Sequence, residues 1–207
     1  MGRFGDDPRA FFTSIYADVA PWDIGGPQPA LMDLLAAHQP ESPVLDLGCG
    51  SGDLAIALAE QGATVLGVDF AEPAIEQARA KAESLPQAVR GRLEFLVGDA
   101  LRPSRLGRSF RSAVDSGFLH LFEPAEAERM IDDLATALEP GGRFYLLEFA
   151  VEFPIPNTPR AVSEGELRQW LSVENGWRLL ELRPAQFESR IAPVPAVAAC
   201  AERIAAS

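Results

Sequence analysis

The sequence predicts an α/β fold, a doubly wound and mostly parallel sheet of seven strands with helices on both faces. Short apolar segments of strand character alternate with helical segments along most of the 207 residues, which is typical of a parallel sheet covered on both sides. A glycine-rich turn at 48–52 joins the first strand directly to a helix. A chain of this length is expected to form one domain with a sizeable core.

Apolar runs place the elements in a regular order. Predicted strands occupy 44–47, 64–69, 93–97, 113–115, 143–149, 177–182 and 187–191. Predicted helices occupy 54–60, 72–84, 124–138 and 163–173. Pro73 is acceptable in the first turn of its helix, and Ser163 with Glu166 has the spacing of a capping box.

Composition disfavours several classes of partner. A net charge of −12 is unfavourable for nucleic acid or an anionic membrane, although such acidity also simply keeps a protein soluble. No apolar run is long enough to span a bilayer, and residues 1–8 lack an apolar signal core, so we expect a cytoplasmic protein. Cys49 and Cys200 make no disulfide framework, and with His38 and His120 as the only histidines we expect no metal site.

Three glycines on alternate positions, Gly48, Gly50 and Gly52, follow the first strand. Glycine permits a positive φ and lets a ligand approach the main chain, here at the positively polarised start of a helix. A dinucleotide-binding turn needs its third glycine one residue later, at the place of Asp53, whose carboxylate would repel a pyrophosphate. Asp46 before the turn suits a ligand with a cationic amino group. A nicotinamide-dependent oxidoreductase is therefore the disfavoured alternative.

The segment 44–53 resembles the first motif of the class I S-adenosylmethionine-dependent methyltransferases. The resemblance implies a Rossmann-like fold and S-adenosylmethionine as cofactor, with S-adenosylhomocysteine as product. It also implies that the turn, including Cys49, holds the cofactor. Asp69, at the end of the second strand and followed by Phe70, would accept the ribose hydroxyls, or would instead cap the helix that begins near residue 72.

Two later landmarks extend the resemblance. In the family, an acidic residue after the third strand meets the adenine amino group and the next residue lines the ring, which implies these roles for Asp99 and Ala100. The segment 139–143, Glu-Pro-Gly-Gly-Arg, before the fifth strand also resembles the family, although any junction between a helix and a strand uses such residues.

The Pro-Trp-Asp segment at 21–23 narrows the resemblance. Within the stretch from Tyr16 to Leu31, it is similar to the segment that precedes the glycine motif in thiopurine, thiol and halide methyltransferases, where it folds over the methionine end of the cofactor. The indole of Trp22 would then gain a cation–π attraction to the sulfonium. The alternative is that Trp22 anchors an N-terminal helix on the core.

The segment 115–122 follows the fourth strand, where methyl donor and acceptor meet in this family. Asp115 and Ser116 would contact the cofactor. His120 would act as base for a hydroxyl or amine acceptor, and a hydroxyl acceptor would need help from His120 or Asp115; His120 is equally well explained as a packed residue. The phenylalanines of this region would wall an apolar pocket or belong to the core: Phe118, Phe122 and Phe153.

We therefore expect direct methyl transfer to a small-molecule nucleophile. The family favours a sulfur acceptor, which reacts as a thiolate without a strong base. The alternatives are O- or N-methylation of a small metabolite, and a protein that binds the cofactor without catalysing a transfer. We expect one domain acting as a monomer or homodimer, with an N-terminal helical cap at 1–40, a cofactor-binding core at 41–150, and a segment 151–207 that completes the sheet and covers the substrate.

Overall fold

The computed structural model describes Phe4, Phe11, Ser14, Ile15, 20–155 and 157–205. Within these residues the strands are β1 Val44–Leu47, β2 Val65–Asp69, β3 Leu93–Val97, β4 Phe110–Ser116, β5 Leu138–Phe149, β6 Trp177–Phe187 and β7 Val194–Arg203. The α-helices are α1 Pro29–Ala37, α2 Asp53–Glu60, α3 Glu72–Glu83, α4 Gln87–Arg90, α5 Pro124–Ala137 and α6 Glu164–Trp170.

The seven strands of the described chain form one sheet in the order β3-β2-β1-β4-β5-β7-β6. β1 pairs in parallel with β2 on one side and with β4 on the other. The strand order therefore reverses at β1, and a ligand crevice is expected at the carboxyl ends of these strands. Only β7 runs antiparallel to its neighbours β5 and β6 among the paired strands of the described chain. The predicted fold class is confirmed.

Apolar side chains cover both faces of the sheet, because neighbouring residues of a strand point to opposite sides. Leu45 belongs to the cluster that packs under α5 and α6, whereas its neighbour Val44 belongs to the cluster under α1, α2 and α3. Leu146 and Tyr145 divide in the same way on β5. The described helices are too short or too polar to cross a bilayer.

The last strand differs from the sequence prediction. The prediction over 187–191 is wrong, because β6 continues to Phe187 and β7 begins at Val194. The segment 194–203 is rich in alanine, which has low intrinsic strand propensity. It forms a strand because it lies between β5 and β6 and pairs with both, with Ala198 and Ala201 fully buried.

Other boundaries shift by a few residues. β4 extends to 110–116 from the predicted 113–115, and α6 ends at Trp170 instead of 173. The predicted capping box is present: the Ser163 side chain accepts a hydrogen bond from the Glu166 N–H, and the Glu166 carboxylate accepts one from the Ser163 N–H. This cap satisfies N–H groups at the start of α6.

Candidate active site

A cavity of about 600 Å³ opens at the carboxyl ends of β1, β2 and β4. This is the point where the strand order reverses, as expected for a ligand site in a doubly wound sheet. Its two sides differ in chemistry. One side carries the glycine turn with Asp46 and Asp69, and the other carries mainly aromatic and aliphatic side chains around His120.

The glycine turn has a backbone that requires glycine. Gly48, Gly50 and Gly52 have φ of 63°, 51° and 84°. Residues with a Cβ rarely adopt positive φ values of this size. A Cβ on Gly48 would collide with the ring of Phe118. The turn therefore brings main chain against the wall of the cavity and leads directly into α2, which begins at Asp53.

Asp46 is a buried carboxylate with an unused oxygen. Only 2% of the residue is exposed, it lines the cavity, and its Oδ2 has no hydrogen-bond partner in the described structure. Burial raises the pKa of Asp46 well above its usual value, and the nearby Asp115 and Asp69 raise it further. A buried acceptor without a partner is costly. A ligand that brings a cationic or hydrogen-bond-donating group to Oδ2 removes this cost, and the amino group of S-adenosylmethionine fits this requirement.

Asp69 connects the glycine turn to the end of β2. Its Oδ2 accepts a hydrogen bond from the Gly50 N–H at 3.0 Å and its Oδ1 accepts one from the Ala71 N–H at 2.8 Å. Burial raises the pKa of Asp69, while these N–H groups act in the opposite direction. Ala71 is the residue before α3, so Asp69 also serves the start of that helix. Each carboxylate oxygen retains capacity for a second donor, and Asp69 and Phe70 both line the cavity.

Lys81 is the only lysine in the sequence, and it supports the glycine turn from α3. Its Nζ lies 2.8 Å from Asp53 Oδ1 and 2.9 Å from Ser51 Oγ. The negative charge of Asp53 is therefore partly compensated. The repulsion of a pyrophosphate by Asp53, on which the sequence argument relied, is weaker than the residue alone suggests.

Some predicted cofactor residues lie away from this cavity. Asp99 is exposed and its Oδ1 accepts a hydrogen bond from the Leu101 N–H, and neither Asp99 nor the buried Ala100 lines the cavity. Ser116 and Cys49 do line it. Burial raises the pKa of the Cys49 thiol well above its usual value, so Cys49 is a neutral thiol at neutral pH.

His120 lies in a short 3₁₀ turn, Leu119–Leu121, on the apolar side of the cavity. Its ring stacks on Phe149 with 4.4 Å between centroids, and its Nδ1 lies 2.8 Å from Glu148 Oε2. Burial lowers the pKa of His120 to about 3, although Asp115 acts in the opposite direction. The imidazole is therefore neutral at physiological pH.

Glu148 was not predicted as a site residue. It is fully buried near the end of β5, and burial raises its pKa to about 7 although hydrogen bonds with Asp115 and with the His120 and Leu119 N–H groups act in the opposite direction. The available signal was a single acidic residue within the apolar run 144–149. Such a charge in a central strand needs a partner.

Asp115 lies beneath the cavity and not on its surface. It is fully buried and absent from the lining, and its carboxylate accepts hydrogen bonds from the Phe118 N–H at 2.7 Å and the Leu119 N–H at 3.2 Å. Burial raises the pKa of Asp115 well above its usual value, and Glu148 raises it further. Direct contact with cofactor or acceptor, as predicted from the sequence, has no support in this geometry. Asp115 instead positions the segment that carries His120.

Aromatic side chains form the apolar wall, with one exception to the prediction. Phe118 and Phe153 line the cavity as predicted, together with Phe149 and Phe187. Phe122 does not line it; its ring packs edge-on against Phe118 at 4.8 Å. Phe122 therefore supports the wall from behind.

The N-terminal and C-terminal segments also reach the cavity. The half-buried Trp22 lines it, and so does Gln28, whose side chain bonds the backbone of Glu188 through both its amide atoms, at 2.9 and 2.7 Å. Tyr16 and most of the predicted cap before residue 20 lie outside the described residues. Within the described part of the chain, no group of three or more His, Cys, Asp or Glu side chains is arranged to hold a metal ion.

Comparison with known proteins assigns the family. Residues 44–142 match the family model for a methyltransferase domain. Over 171 residues, 81% of this chain and 72% of the relative, the sequence is 33% identical to the 2-heptyl-1-hydroxyquinolin-4(1H)-one methyltransferase of Mycobacteroides abscessus. It is 29% identical to probable thiol methyltransferase 2 of Arabidopsis thaliana over 158 residues, 75% of this chain and 68% of the relative.

Solved structures agree with this assignment. A protein studied for the conversion of a disulfide bond into a thioacetal group during echinomycin biosynthesis superposes with a TM-score of 0.82 and 28% identity, covering 96% of this chain and 94% of the other. Magnesium protoporphyrin IX methyltransferase of Synechocystis, solved with bound S-adenosylmethionine, superposes with a TM-score of 0.66 and 25% identity, covering 97% and 88%. The chain belongs to the S-adenosylmethionine-dependent methyltransferases, and S-adenosylmethionine is its cofactor.

Proposed function

We propose that this methyltransferase methylates a hydroxyl group of a small apolar, aromatic molecule, with His120 as general base. The observation that carries the proposal is the pairing of His120 Nδ1 with Glu148 Oε2 at 2.8 Å, on a ring that lines the cavity. A neutral imidazole held by a buried carboxylate is the arrangement of a base in acyl-transfer enzymes. The apolar wall around it favours an apolar acceptor.

The cofactor side is proposed to bind S-adenosylmethionine through main chain and carboxylates. Asp46 would accept the amino group and Asp69 the ribose hydroxyls, while Trp22 would face the sulfonium. When bound, the cofactor supplies a methyl group on a sulfonium, which keeps the C–S electron pair as that bond breaks. The remaining proposed cofactor contacts are Gly48, Cys49, Gly50, Gly52, Phe70 and Ser116. Asp99 and Ala100, which lie outside the cavity lining, stay a prediction from the sequence for the adenine.

His120 would move the proton in the acceptor half of the reaction. A proton on Nδ1 would be donated to Glu148 Oε2 at 2.8 Å, the shorter of the two contacts of this atom, the other being 3.4 Å from the Phe149 N–H. The Nε2 lone pair is then free to take the hydroxyl proton as the acceptor oxygen bonds to the methyl carbon. Glu148 stabilises the imidazolium that results. Asp115 is proposed to position this pair and not to touch the acceptor.

Exclusion of water would complete the site. As the methyl group moves, the positive charge passes from the sulfonium to the His120 imidazole beside Glu148, so a dry cavity would strengthen the stabilisation of that charge by the carboxylate. The segments 1–40 and 151–207 are proposed to act as covers on either side of the core 41–150. Support comes from Trp22 in the first segment and Phe153 and Phe187 in the second, all of which line the cavity.

A thiol is the second candidate acceptor. It is supported by the similarity to a probable thiol methyltransferase and to the protein of the disulfide-to-thioacetal conversion. A thiol reacts as its thiolate near neutral pH with little assistance, so it does not explain the His120–Glu148 pair. The relative named for a hydroxyquinolinone is the more similar of the two curated relatives and agrees with a hydroxyl acceptor.

The test combines cofactor binding with acceptor screening. S-adenosylhomocysteine should raise the melting temperature and NADH should not; the reverse result would exclude the proposed cofactor side. Labelled S-adenosylmethionine is then offered with matched phenols and thiophenols. We expect methylation of the phenols and a larger loss for phenols than for thiophenols in His120→Ala. An equal fold-loss for both acceptors in this variant would remove the base role of His120.

A further inference from the structure

Two exposed isoleucines lie at the mouth of the cavity. Ile155 is 61% exposed and Ile191 is 86% exposed, and both line the cavity although they face solvent. They come from separate segments, one after β5 and the other between β6 and β7. Large exposed side chains of this kind are few among the described residues; the others are Leu96, Val97 and Val173, none of which lines the cavity.

Aromatic side chains lead from the proposed base toward this mouth. The His120 ring stacks on Phe149 at 4.4 Å, and Phe149 contacts Phe153 edge-on at 5.3 Å between centroids. Phe153 lies two residues before Ile155 and also lines the cavity. The aromatic side chains therefore extend from His120 through Phe149 to Phe153, which is two residues along the chain from the exposed Ile155.

We propose that the acceptor carries a neutral, apolar tail that leaves the cavity between Ile155 and Ile191. The proposal rests on the hydroxyl methyltransferase function proposed above and adds the shape of the acceptor: a hydroxyl-bearing head at His120 and a chain that extends to the mouth. Covering the two isoleucines would remove apolar surface from water on both partners. An anionic membrane is a poor alternative occupant for a protein with a net charge of −12.

The experiment measures binding as a function of tail length. The protein loaded with S-adenosylhomocysteine is titrated with 4-alkylphenols from methyl to heptyl by calorimetry. Each added methylene that reaches the mouth should lower the Kd about two- to fourfold. Acids of the same length, the 4-hydroxyphenylalkanoic acids, should bind more weakly than the alkylphenols because their carboxylate would lie against isoleucine. Equal affinity across the series, or no binding by heptylphenol, overturns the proposal.

Two variants locate the tail. Ile155→Ser and Ile191→Ser should flatten the dependence on length and leave 4-methylphenol unaffected. Val173→Ser is the matched control, because Val173 is 65% exposed and lies away from the cavity; it should keep the wild-type dependence. The same dependence in all three variants would overturn the proposal. The proposal would also be overturned if Ile191→Ser converted a dimer to a monomer in sedimentation and left the dependence of Kd on tail length unchanged. The mouth would then contact a second copy of the chain.

The experiments distinguish an error in the proposed tail from an error in the proposed function. Methyl transfer to 4-methylphenol without a length effect would retain the proposed function and reject the tail. A length effect in binding, with no methylation of any alkylphenol but methylation of 4-alkylthiophenols, would retain the tail and replace the hydroxyl acceptor by a thiol.

Discussion

The Nδ1 atom of His120 lies 2.8 Å from Oε2 of Glu148, and both side chains are buried. The backbone joins the two residues as well, because the His120 N–H donates to the same Oε2 at 3.1 Å. The Leu119 N–H lies 3.2 Å from both Glu148 Oε1 and Asp115 Oδ2. Two buried carboxylates that share a donor disfavour double ionisation. The protonation state of Glu148 therefore affects both Asp115 and His120.

Replacing Glu148 by glutamine tests this coupling through activity. In the wild type, kcat should rise with pH through about 7, because the pKa of Glu148 is about 7 and the ionised form stabilises protonated His120. In Glu148→Gln the amide neither ionises nor stabilises the imidazolium. We expect kcat for a phenol to fall on the order of 100-fold and the rise near pH 7 to disappear.

Stability provides an independent readout of the same variant. Glu148 has a folded pKa of about 7, above the ordinary glutamate value of 4.5. Its contribution to stability is thus present below 4.5 and is lost as pH rises to 7, since the folded state holds the proton longer. Glu148→Gln should therefore gain stability relative to the wild type between pH 4.5 and 7 in denaturant titrations. A constant difference across this range would contradict the raised pKa.

Asp46→Asn should separate cofactor affinity from stability. Loss of the charge that faces the cofactor amino group should weaken S-adenosylhomocysteine binding by about 10- to 150-fold, as for hydrogen bonds to charged groups. Yet the folded pKa of Asp46 is raised by burial, so its stabilising contribution is present at low pH and lost as pH rises. The unliganded variant should melt higher than the wild type at pH 8, and this advantage should vanish near pH 3.

Asp33→Asn is the control for this prediction, because Asp33 lies exposed on α1 and does not line the cavity. It should leave cofactor affinity unchanged in calorimetry. If Asp46→Asn binds S-adenosylhomocysteine as tightly as Asp33→Asn does, then Asp46 does not contact the amino group.

Local sequence signals account for the first half of the fold. Three glycines on alternate positions follow β1 and lead into α2, because the turn needs a positive φ at each of these positions and glycine adopts it without strain. The same local signals did not predict β7. Its alanines carry little strand preference, and its strand state results from pairing with β6, which precedes it along the chain, and with β5, which is distant in sequence.

The site shows the same division between local and tertiary information. Asp69 and His120 follow strands at the carboxyl edge of the sheet, so the topology alone brings them to the crevice. The role of Asp115 depends on which way its side chain turns, and it turns to the backbone of 118–119. To predict the role of Glu148, one must know that the end of β5 lies against the turn that carries His120. No local sequence pattern contains this information.

Gly48→Ala is expected to lower the stability of the fold and to displace the acceptor wall. Gly107→Ala is the control that separates the cost of the backbone conformation from the cost of overpacking. Both glycines have similar φ, 63° and 65°, so each variant should lose about 1–2 kcal/mol from the unfavourable backbone. A Cβ at Gly107 would meet nothing within 4 Å, whereas one at Gly48 would collide with Phe118. Overpacking should cost Gly48→Ala about 1–3 kcal/mol more.

Chemical denaturation of the two variants measures this difference directly. Because Phe118 lines the cavity, its displacement in Gly48→Ala should also weaken the binding of 4-alkylphenols, an effect absent from Gly107→Ala. Equal stability losses in the two variants would mean that the Phe118 ring moves aside at no cost. The contact between the glycine turn and the acceptor wall would then not be a fixed part of the site, and the cofactor and acceptor sides would be independent of each other.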